Sequence, residues 1–485
     1  MKALQSIAFL LVLSVAFVGC KKHFEEINTN VNSPVNVEPD LLLRQVIYNS
    51  GDNISYEGFV AGNLLSQHFS MVDFNLFDRH NLSQPQLGGN PWPILYKNLR
   101  DNEIILSKVE EDEKYRVYEG PARIMKAYLA QMLTDIYGDI PYSEALQGAS
   151  GNVTPKYDSQ EDVYLATGGI IDQLDRAMAA IDAYNSVETL GGDILFNGDL
   201  SQWRKFAVSL KIKALMRISD RDGDVALDIP GALQDLVNEG MYMMTNADNA
   251  TFTFSSSQPN SFRMQQLRVG DFNLYVMSKT ADTIYQALND PRFEVLFRGT
   301  GNDPLVYNGL INGIDNSQTT ISLSDYSLPG TIFRENTGVL KCNFMTAWET
   351  KFLLAEAALK GYIASAPQTL YEEAVTAAFD YWNVPMPTTY LTIGDAAYGT
   401  GDPLEQIITQ KWIGNCINGY ESWIEYSRTG FPNVLPVSAS LNGGMYPVRL
   451  PYPADESALN AANYSVASAN SNGNSVNAKV WWDVF

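Results

Sequence analysis

The sequence contains few cysteines and few histidines, and each shortage excludes a class of protein. Cys20, Cys342 and Cys416 are the three cysteines among 485 residues. They do not form the pattern of a disulfide framework, and spacing alone does not pair the last two. We expect Cys342 and Cys416 to be small buried hydrophobic side chains. The three histidines form no HExxH motif, and GxSxG and phosphate-binding motifs are missing, so the sequence offers no catalytic signature.

Positive charge is also scarce. The chain has 33 lysine and arginine residues against 55 aspartate and glutamate residues, a formal net charge of −22. This balance argues against nucleic acid as a partner, because the phosphate backbone binds basic surfaces. By contrast, 26 tyrosines and 8 tryptophans are many for a chain with 18% charged residues. Such rings often form surfaces that bind sugars, peptides or partner proteins, although a large helical core also uses tyrosine freely.

The first 19 residues have the pattern of a secretory signal peptide. After a short basic start, residues 7–18 form an apolar run that is too short to span a bilayer. Gly19 followed by Cys20 resembles the bacterial lipobox, in which the cysteine is diacylated and becomes the first mature residue, although Phe17 replaces the usual aliphatic residue. We therefore expect lipidation of Cys20 and a lipidated tether over residues 20–40. An ordinary signal peptide with an incidental cysteine is the alternative.

Residues 115–145 predict a long helix that ends in a rigid elbow. Gly138 and Pro141 mark its end, since glycine suits the left-handed residue after a helix and proline cannot continue the turn. Seven apolar residues recur before them at intervals of three and four, which places them on one stripe of an α-helix. They are Tyr115, Tyr118, Ala122, Met125, Leu129, Met132 and Ile136.

Helix signals continue along most of the chain. We predict helices over about residues 40–50 and 56–72, and another that begins at Trp92. The helix expected at Asp402 should run to about Arg428. Helix starts are predicted from capping residues, which are Ser159, Ser201, Thr346, Thr369 and Asp402.

These signals predict a mainly α-helical fold. Helix pairs of about 35 residues, such as residues 346–382, indicate tetratricopeptide-like units that stack into a scaffold, although the literal tetratricopeptide signature is missing. The pattern loosens over residues 223–340, where Gly, Asn, Ser and Thr dominate, and over the loop-rich residues 430–485. We therefore expect a single domain over residues 41–485, interrupted by a long irregular region.

Several segments together resemble the SusD/RagB family of Bacteroidota outer-membrane lipoproteins. No single piece is decisive, but their order and spacing are specific and cover nearly the whole chain. The INTN and LPYP-DES stretches are typical of the SusD subgroup. The segments are the signal with Cys20, FEEINTNVNSP at 24–34, PDLLL at 39–43, AYLAQMLTDIYGDIPYSEAL at 127–146, KFLLAEAALKG at 351–361, QKWIGNCINGYESWIEYSRTGFP at 410–432, LPYPADESALNAANY at 450–464 and WWDV at 481–484.

The resemblance implies a helical scaffold of tetratricopeptide-like pairs and an irregular part that carries the ligand surface. It also implies a protein anchored by lipid in the outer membrane, exposed at the cell surface, that caps a SusC-like TonB-dependent transporter. In this family the transporter contact lies largely on the side of the helical pairs. Such a protein is not an enzyme: it captures a glycan, or in some members a peptide, and presents it for import.

Aromatic residues in loops are the candidates for ligand binding. Family members stack sugars on aromatic rings while polar groups bind the hydroxyls, because a sugar has an apolar C–H face and a polar rim. No binding motif transfers residue by residue, so the choice depends on position, and each ring could instead fill a local core. The candidates are Phe74, Phe77, Trp92, Tyr275, Tyr307 and Tyr326.

Two other functions have weaker support. A lipid-anchored glycoside hydrolase would need a pair of carboxylates such as Asp135, Asp139 and Glu144 could supply. Carboxylates are common around helix ends, however, and a sequence does not give their separation. A purely structural surface protein would bind no ligand. We expect no catalytic residue, no metal and no cofactor.

Overall fold

A computed structural model describes residues 37–83 and 88–484 of the chain. The predicted signal peptide, residues 1–19, and the lipidation site Cys20 lie outside the described residues, together with the tether up to residue 36. Residues Pro39–Phe485 group into one unit by their mutual contacts.

Helices dominate the described residues, which confirms the prediction of a mainly α-helical fold. Short helical turns also occur, at Asn63–Leu65, Val269–Phe272, Phe293–Leu296 and Glu456–Leu459. The longer helices are α1 (Pro39–Glu57), α2 (Trp92–Glu111), α3 (Glu119–Tyr137), α4 (Gln160–Leu165), α5 (Ile170–Ala183), α6 (Leu200–Arg217), α7 (Ile229–Glu239), α8 (Lys279–Leu288), α9 (Ala347–Leu359), α10 (Pro367–Trp382), α11 (Pro403–Gly414), α12 (Gly419–Thr429) and α13 (Ala461–Asn470).

The strands are short and form two-stranded antiparallel pairs. Within the described ranges, β1 pairs with β3, β2 with β6, and β4 with β5. In the first pair Phe69 is opposite Met277. The region predicted to be irregular, residues 223–340, contains two longer helices and most of these strands. Each strand pair joins part of this region either to another part of it or to a segment outside it. The strands are β1 (Phe69–Met71), β2 (Ala250–Thr253), β3 (Tyr275–Met277), β4 (Phe297–Thr300), β5 (Ser327–Pro329) and β6 (Lys341–Met345).

Pairs of consecutive helices build the scaffold. The helices α9 and α10 pack against each other, as predicted for residues 346–382, and α9 also packs on α11. Along the first half of the chain α2 packs on α3, α3 on α5, and α5 on α6. Thr346 caps α9 as expected, since its side chain accepts a hydrogen bond from the backbone N–H of Glu349.

The predicted second helix, residues 56–72, is wrong in its bounds. The chain continues from α1 through a π-helical turn at Gly58–Gly62 and a last turn at Asn63–Leu65, and then becomes strand β1. The π-helical turn lies directly against the start of α12. A side chain at Gly62 or at Gly419 would overlap the backbone of the other segment. The close crossing of this turn over the start of α12 requires glycine, and helical spacing does not reveal such a contact.

Several other helix boundaries also differ from the prediction. The helix expected from Asp402 to Arg428 is divided into α11 and α12 by the turn at residues 415–418. Asp199 rather than Ser201 caps α6. The helix α10 begins at Pro367, two residues before Thr369, because proline favours the first helical position.

The helix α3 ends at the predicted elbow. Gly138 follows it with a φ of +82° and a ψ of −125°, so its φ is positive as predicted but its conformation is not left-handed helical. The carboxylate of Asp139 accepts a hydrogen bond from the backbone N–H of Gln160 at 3.0 Å, at the start of α4, and Ile140 forms a β-bridge with Asp158. These contacts fix the chain direction between the first helices of the scaffold.

A buried network of charges joins five helices in the core. Arg217 on α6 contacts Asp135 on α3 at 3.1 Å, Glu421 at 2.7 Å and Glu425, both of α12. Lys213 lies 2.8 Å from Glu421. Isolated charges in a core are very costly, so each group here depends on its partners.

The network extends from α12 to α9 and α11. Arg428 contacts Glu356 at 2.6 Å and Glu425 at 2.9 Å, and Lys411 lies 3.2 Å from Glu425. Burial alone would raise the pKa of Glu421, but the surrounding cations, Arg217 foremost, outweigh it and lower that pKa to about 2.

The two cysteines of the described chain are structural. Cys342 and Cys416 are both buried and form no disulfide, which confirms the expectation of small hydrophobic side chains. Burial raises the pKa of the Cys342 thiol to about 12, so it stays protonated.

Candidate functional site

The most exposed of the predicted aromatic residues is Phe74. Its side chain is 66% exposed, and its backbone is left-handed with a φ of +50°. The Asp73 carboxylate holds this turn by accepting a hydrogen bond from the Phe74 N–H at 2.8 Å. A phenylalanine in this backbone conformation is uncommon and lowers the stability of the folded protein. Its exposed ring does not offset this cost by packing in the core.

A buried carboxylate anchors the base of the Phe74 loop. Asp78 accepts hydrogen bonds from Ser70 at 3.0 Å, from the Met71 N–H at 3.1 Å, from the Asn312 amide at 2.6 Å and from the Gly313 N–H at 2.8 Å. Burial raises the pKa of Asp78 to about 6, although these donors oppose the shift. The loop is therefore fixed to strand β1 and to the segment around residue 312.

Tyr326 is connected to the Phe74 loop through a buried apolar cluster. It is half-buried and packs on an apolar cluster that includes Val72 and Leu310, and Val72 is two residues before Phe74. The segment around residue 316 also contacts the Phe74 loop, because the Asn316 amide donates a hydrogen bond to the Asp73 carboxylate at 2.9 Å. We call the surface formed by residues 72–75, 314–316 and 326 the loop face.

Tyr307 flanks this surface from the neighbouring chain segment. Its ring packs edge-on against Phe293 with the ring centres 4.4 Å apart, and the residue is half-buried. The backbone beside it is tied to the backbone beside Tyr326, since the Ser327 N–H donates to the Asn308 carbonyl at 3.0 Å. Burial raises the pKa of Tyr307, so its hydroxyl stays a neutral donor and acceptor.

The other three candidates are core residues in this structure. Phe77, Trp92 and Tyr275 are 4%, 7% and 1% exposed. Phe77 packs so closely on Gly89 that a side chain there would overlap its ring. Trp92 lies 4.9 Å from the ring of Tyr137, and Tyr275 packs on Phe59. These rings offer no free face for a ligand, and the six candidates do not form one site.

Polar residues of the loop face escaped the sequence prediction. Asp73 and Asn316 flank the Phe74 turn but carry no local signal that separates them from other loop residues. A weak signal exists in the NGIDN stretch at residues 312–316, where short polar residues of turn type are concentrated. Residues 312–316 contact residues 72–75 although the two segments are more than two hundred residues apart in the sequence.

The carboxylates considered for hydrolysis act as structural acceptors. Asp135 is buried and accepts from Tyr164 at 2.6 Å and from the Trp482 indole at 2.9 Å, and burial raises its pKa to about 6. Asp139 accepts a hydrogen bond from the Gln160 N–H at the start of α4, the helix that Ser159 caps. Glu144 accepts a hydrogen bond from the backbone N–H of Lys156 at 3.1 Å. All three are therefore already used to hold neighbouring chain segments.

The described part of the chain places no group of three or more His, Cys, Asp or Glu side chains where it could hold a metal ion. Among the same residues, no helix combines the length and the apolar character needed to cross a bilayer. The loop face instead combines an exposed aromatic ring, a half-buried tyrosine and nearby carboxylate and amide groups. This arrangement can stack a flat apolar surface and hydrogen-bond its edge.

The sequence and the fold agree with one protein family. The family model described as "Starch-binding associating with outer membrane", SusD-like, matches residues 31–453. The chain therefore belongs to the SusD-like family, as its sequence segments suggested.

Solved structures give the same architecture. A structure described as a chitin-binding protein is 28% identical, with a TM-score of 0.79 over 92% of this chain and 100% of that chain. A SusD homologue from Bacteroides fragilis is 25% identical, with a TM-score of 0.79 over 92% and 99%. A chitin-binding SusD homologue from Flavobacterium johnsoniae has 24% identity and a TM-score of 0.76 over 92% and 98%, which supports the fold alone. The comparison with curated proteins gave no match.

Proposed function

We propose that this protein is a cell-surface lipoprotein that captures an oligosaccharide and delivers it to a SusC-like TonB-dependent transporter in the outer membrane. One observation carries the proposal: Phe74 presents an exposed ring in a strained backbone conformation. Strain of this kind persists where the surrounding structure enforces it, and it is concentrated at functional sites. Membership of a family described as starch-binding supports the same conclusion.

The chemistry of the loop face suits a sugar chain. The apolar C–H face of one sugar ring would stack on Phe74, and a second unit would lie toward Tyr326. Asp73 accepts hydrogen bonds and Asn316 both donates and accepts, so they can bind hydroxyl groups at the rim. A chitin-binding relative at 28% identity favours an N-acetylated glucose polymer as the first ligand to test, and a starch oligosaccharide as the second.

Binding without catalysis fits the described residues. The carboxylates considered for a hydrolase are held by Arg217, Gln160 and the backbone of Lys156, and they do not line the loop face. The ligand would therefore leave the protein chemically unchanged. The lipid on Cys20 would keep the protein at the membrane, next to the transporter that accepts the ligand.

The test is a binding titration with chito-, malto- and peptide oligomers against the purified protein. We expect saturable binding of one oligosaccharide series, and at least a tenfold loss of affinity in Phe74→Ala, which corresponds to about 1.4 kcal/mol. Tyr326→Ala should weaken the same ligand. Val187→Ala is the matched control, because Val187 is also exposed but lies outside the loop face.

Three results would contradict the proposal. They are equal binding by Phe74→Ala and the wild type, preference for peptides over every oligosaccharide, and shortening of the oligosaccharide during incubation. The second would move the protein to the peptide-binding members of the family, and the third would make it a hydrolase.

A further inference from the structure

A half-enclosed cavity of about 320 Å³ lies between α8, α11 and the chain around Pro432. Ile284 and Leu288 of α8 form one apolar wall together with Pro432. The ring of Tyr371 adds to the lining from α10, and its hydroxyl is occupied by the carbonyl of Ala396 at 2.8 Å. None of the lining residues belongs to the loop face. The walls come from four separate parts of the chain, so the cavity is a built feature of the fold.

Two amide groups in the cavity lining, those of Gln406 and Gln410, are bonded to the protein. The Gln406 side chain donates to the carbonyls of Asp395 and Ala397, both at 2.8 Å, and accepts from the Gly399 N–H at 2.8 Å. Gln410 is occupied by Arg292, which donates to it at 2.6 Å. These amides hold the walls in place and do not offer free groups to a ligand.

Three carboxylates at the cavity keep free oxygen atoms. Asp402 caps α11 through Oδ1 at 2.8 Å from the Leu404 N–H, and Glu405 accepts from the Asn433 amide through Oε1. Within the described chain, the second oxygen of each accepts no hydrogen bond, and neither oxygen of Asp395 does. The cavity lining therefore combines apolar side chains with three carboxylates that keep unfilled acceptors; Asp395 and Asp402 are exposed, and Glu405 is half-buried.

Nothing in the lining balances this negative charge. The lining residues all lie within the described ranges, and none of them is lysine, arginine or histidine. Arg292, behind Gln410, is paired with Asp290 at 2.5 Å. On α8, Lys279 is paired with Asp282 at 2.5 Å. The field inside the cavity is thus negative, and a concave site of one sign concentrates ions of the opposite sign.

We propose that this cavity binds a small ligand that carries a primary ammonium group on a partly apolar body. The ammonium group has three donors for the free oxygens of Asp395, Asp402 and Glu405. The apolar body would pack on Ile284 and Leu288. Carboxylates without a cavity would form only a solvated acidic cluster. Here the apolar lining also offers a surface against which a ligand can be buried. An amino sugar and the lysine of a short peptide share this chemistry.

The test compares amines with their acetylated forms in calorimetric titrations of the purified protein. We expect glucosamine to bind at least tenfold more tightly than N-acetylglucosamine, and a lysyl dipeptide more tightly than its Nζ-acetylated form. The tighter of the two amines identifies the source of the ammonium group. Affinity should fall at least fivefold in Glu405→Gln and in Asp395→Asn, and it should fall with added salt. Asp235→Asn, an exposed carboxylate on α7, is the matched control.

A second variant tests the site without removing a structural contact. Ala287 is exposed on α8 and lines the cavity, so Ala287→Lys should place a fixed ammonium group there and abolish amine binding with an unchanged melting temperature. Equal affinity for amine and acetylated forms, or amine binding that Glu405→Gln and Ala287→Lys leave unchanged, overturns the proposal. Phe74→Ala should not affect amine binding, so failure here is separate from failure of the loop face.

Discussion

At the level of single residues, Phe74 is the position where we expect stability and ligand binding to favour different side chains. Its left-handed backbone costs free energy that a residue such as asparagine would largely avoid. The ring gains nothing from the core, because it is mostly in solvent. This combination of an exposed ring and a strained backbone is the reason for proposing Phe74 as a ligand contact.

Replacing Phe74 with asparagine should therefore improve stability and remove function. We expect Phe74→Asn to raise the free energy of unfolding by about 1 kcal/mol, since asparagine tolerates φ near +50°. Binding of the oligosaccharide should be lost in the same variant. Chemical denaturation and a binding titration on one preparation measure both effects. A loss of stability would show that the ring packs against the protein after all.

Gly62 is a second residue with a specific structural role, because a Cβ atom at this position would prevent the close contact with the start of α12. It lies in the π-helical turn, and an added Cβ would overlap the backbone of Gly419 and Tyr420. We expect Gly62→Ala to lower the free energy of unfolding by about 3 kcal/mol, because neither backbone can move aside. Gly270→Ala is the control: that position has open space around it, and we expect at most about 1 kcal/mol of stabilisation there. Denaturant unfolding of both variants gives the comparison, and equal effects would exclude the close crossing.

At the scale of elements, the buried charges decide how helices α3, α6, α9, α11 and α12 join. Glu421 on α12 reaches Arg217 and Lys213 on α6, and Lys411 on α11. A shifted register between these helices would leave buried charges without their partners, so we expect the pairs to favour the observed register. Breaking one partner leaves its counterpart buried and unpaired, which usually costs about 3–5 kcal/mol.

The pH dependence of stability should report this network through Glu421. Its pKa is about 2 in the folded protein, below the value near 4.3 of an unfolded chain. A lowered folded pKa contributes stability that is present above the unfolded value and is lost as the pH falls toward 2. We expect Glu421→Gln to be less stable than the wild type at pH 7, with a difference that shrinks between pH 4.5 and pH 2. Glu110→Gln, an exposed position on α2, should show a small difference throughout, and a constant difference for Glu421→Gln would contradict the assignment.

At the scale of the whole molecule, the proposed function depends on attachment to a membrane. The described residues hold no helix that could provide it, and the lipobox-like Gly19-Cys20 lies outside them. We expect the wild-type protein to fractionate with outer membranes and Cys20→Ala to become soluble after export, because the acyl chains would be missing. Cys342→Ala is the control for loss of a cysteine. Membrane fractionation of the three forms measures the outcome, and membrane association of Cys20→Ala would show that lipid on this residue is not the anchor.

Much of the scaffold could be predicted from local sequence, for a physical reason. Helix starts at Thr346 and Asp402 depend on capping side chains and prolines a few residues away, and the structure has both. The end of α3 at Gly138 likewise depends on glycine's tolerance of positive φ. The division of α11 from α12 differs from the prediction, although Gly414 and the spacing of Asn418 and Glu421 are local boundary signals.

Local sequence is thus sufficient to predict the mainly α-helical scaffold, the pairing of neighbouring helices and the family, since these follow from short-range periodicity and from ordered motifs. The exposure of the loop aromatics depends instead on tertiary contacts. Phe74 and Phe77 are three residues apart in one loop, yet one is exposed and the other lies under Gly89. Exposure is set by segments far apart in the chain, such as residues 308–316 against 72–78, and no local pattern records those contacts.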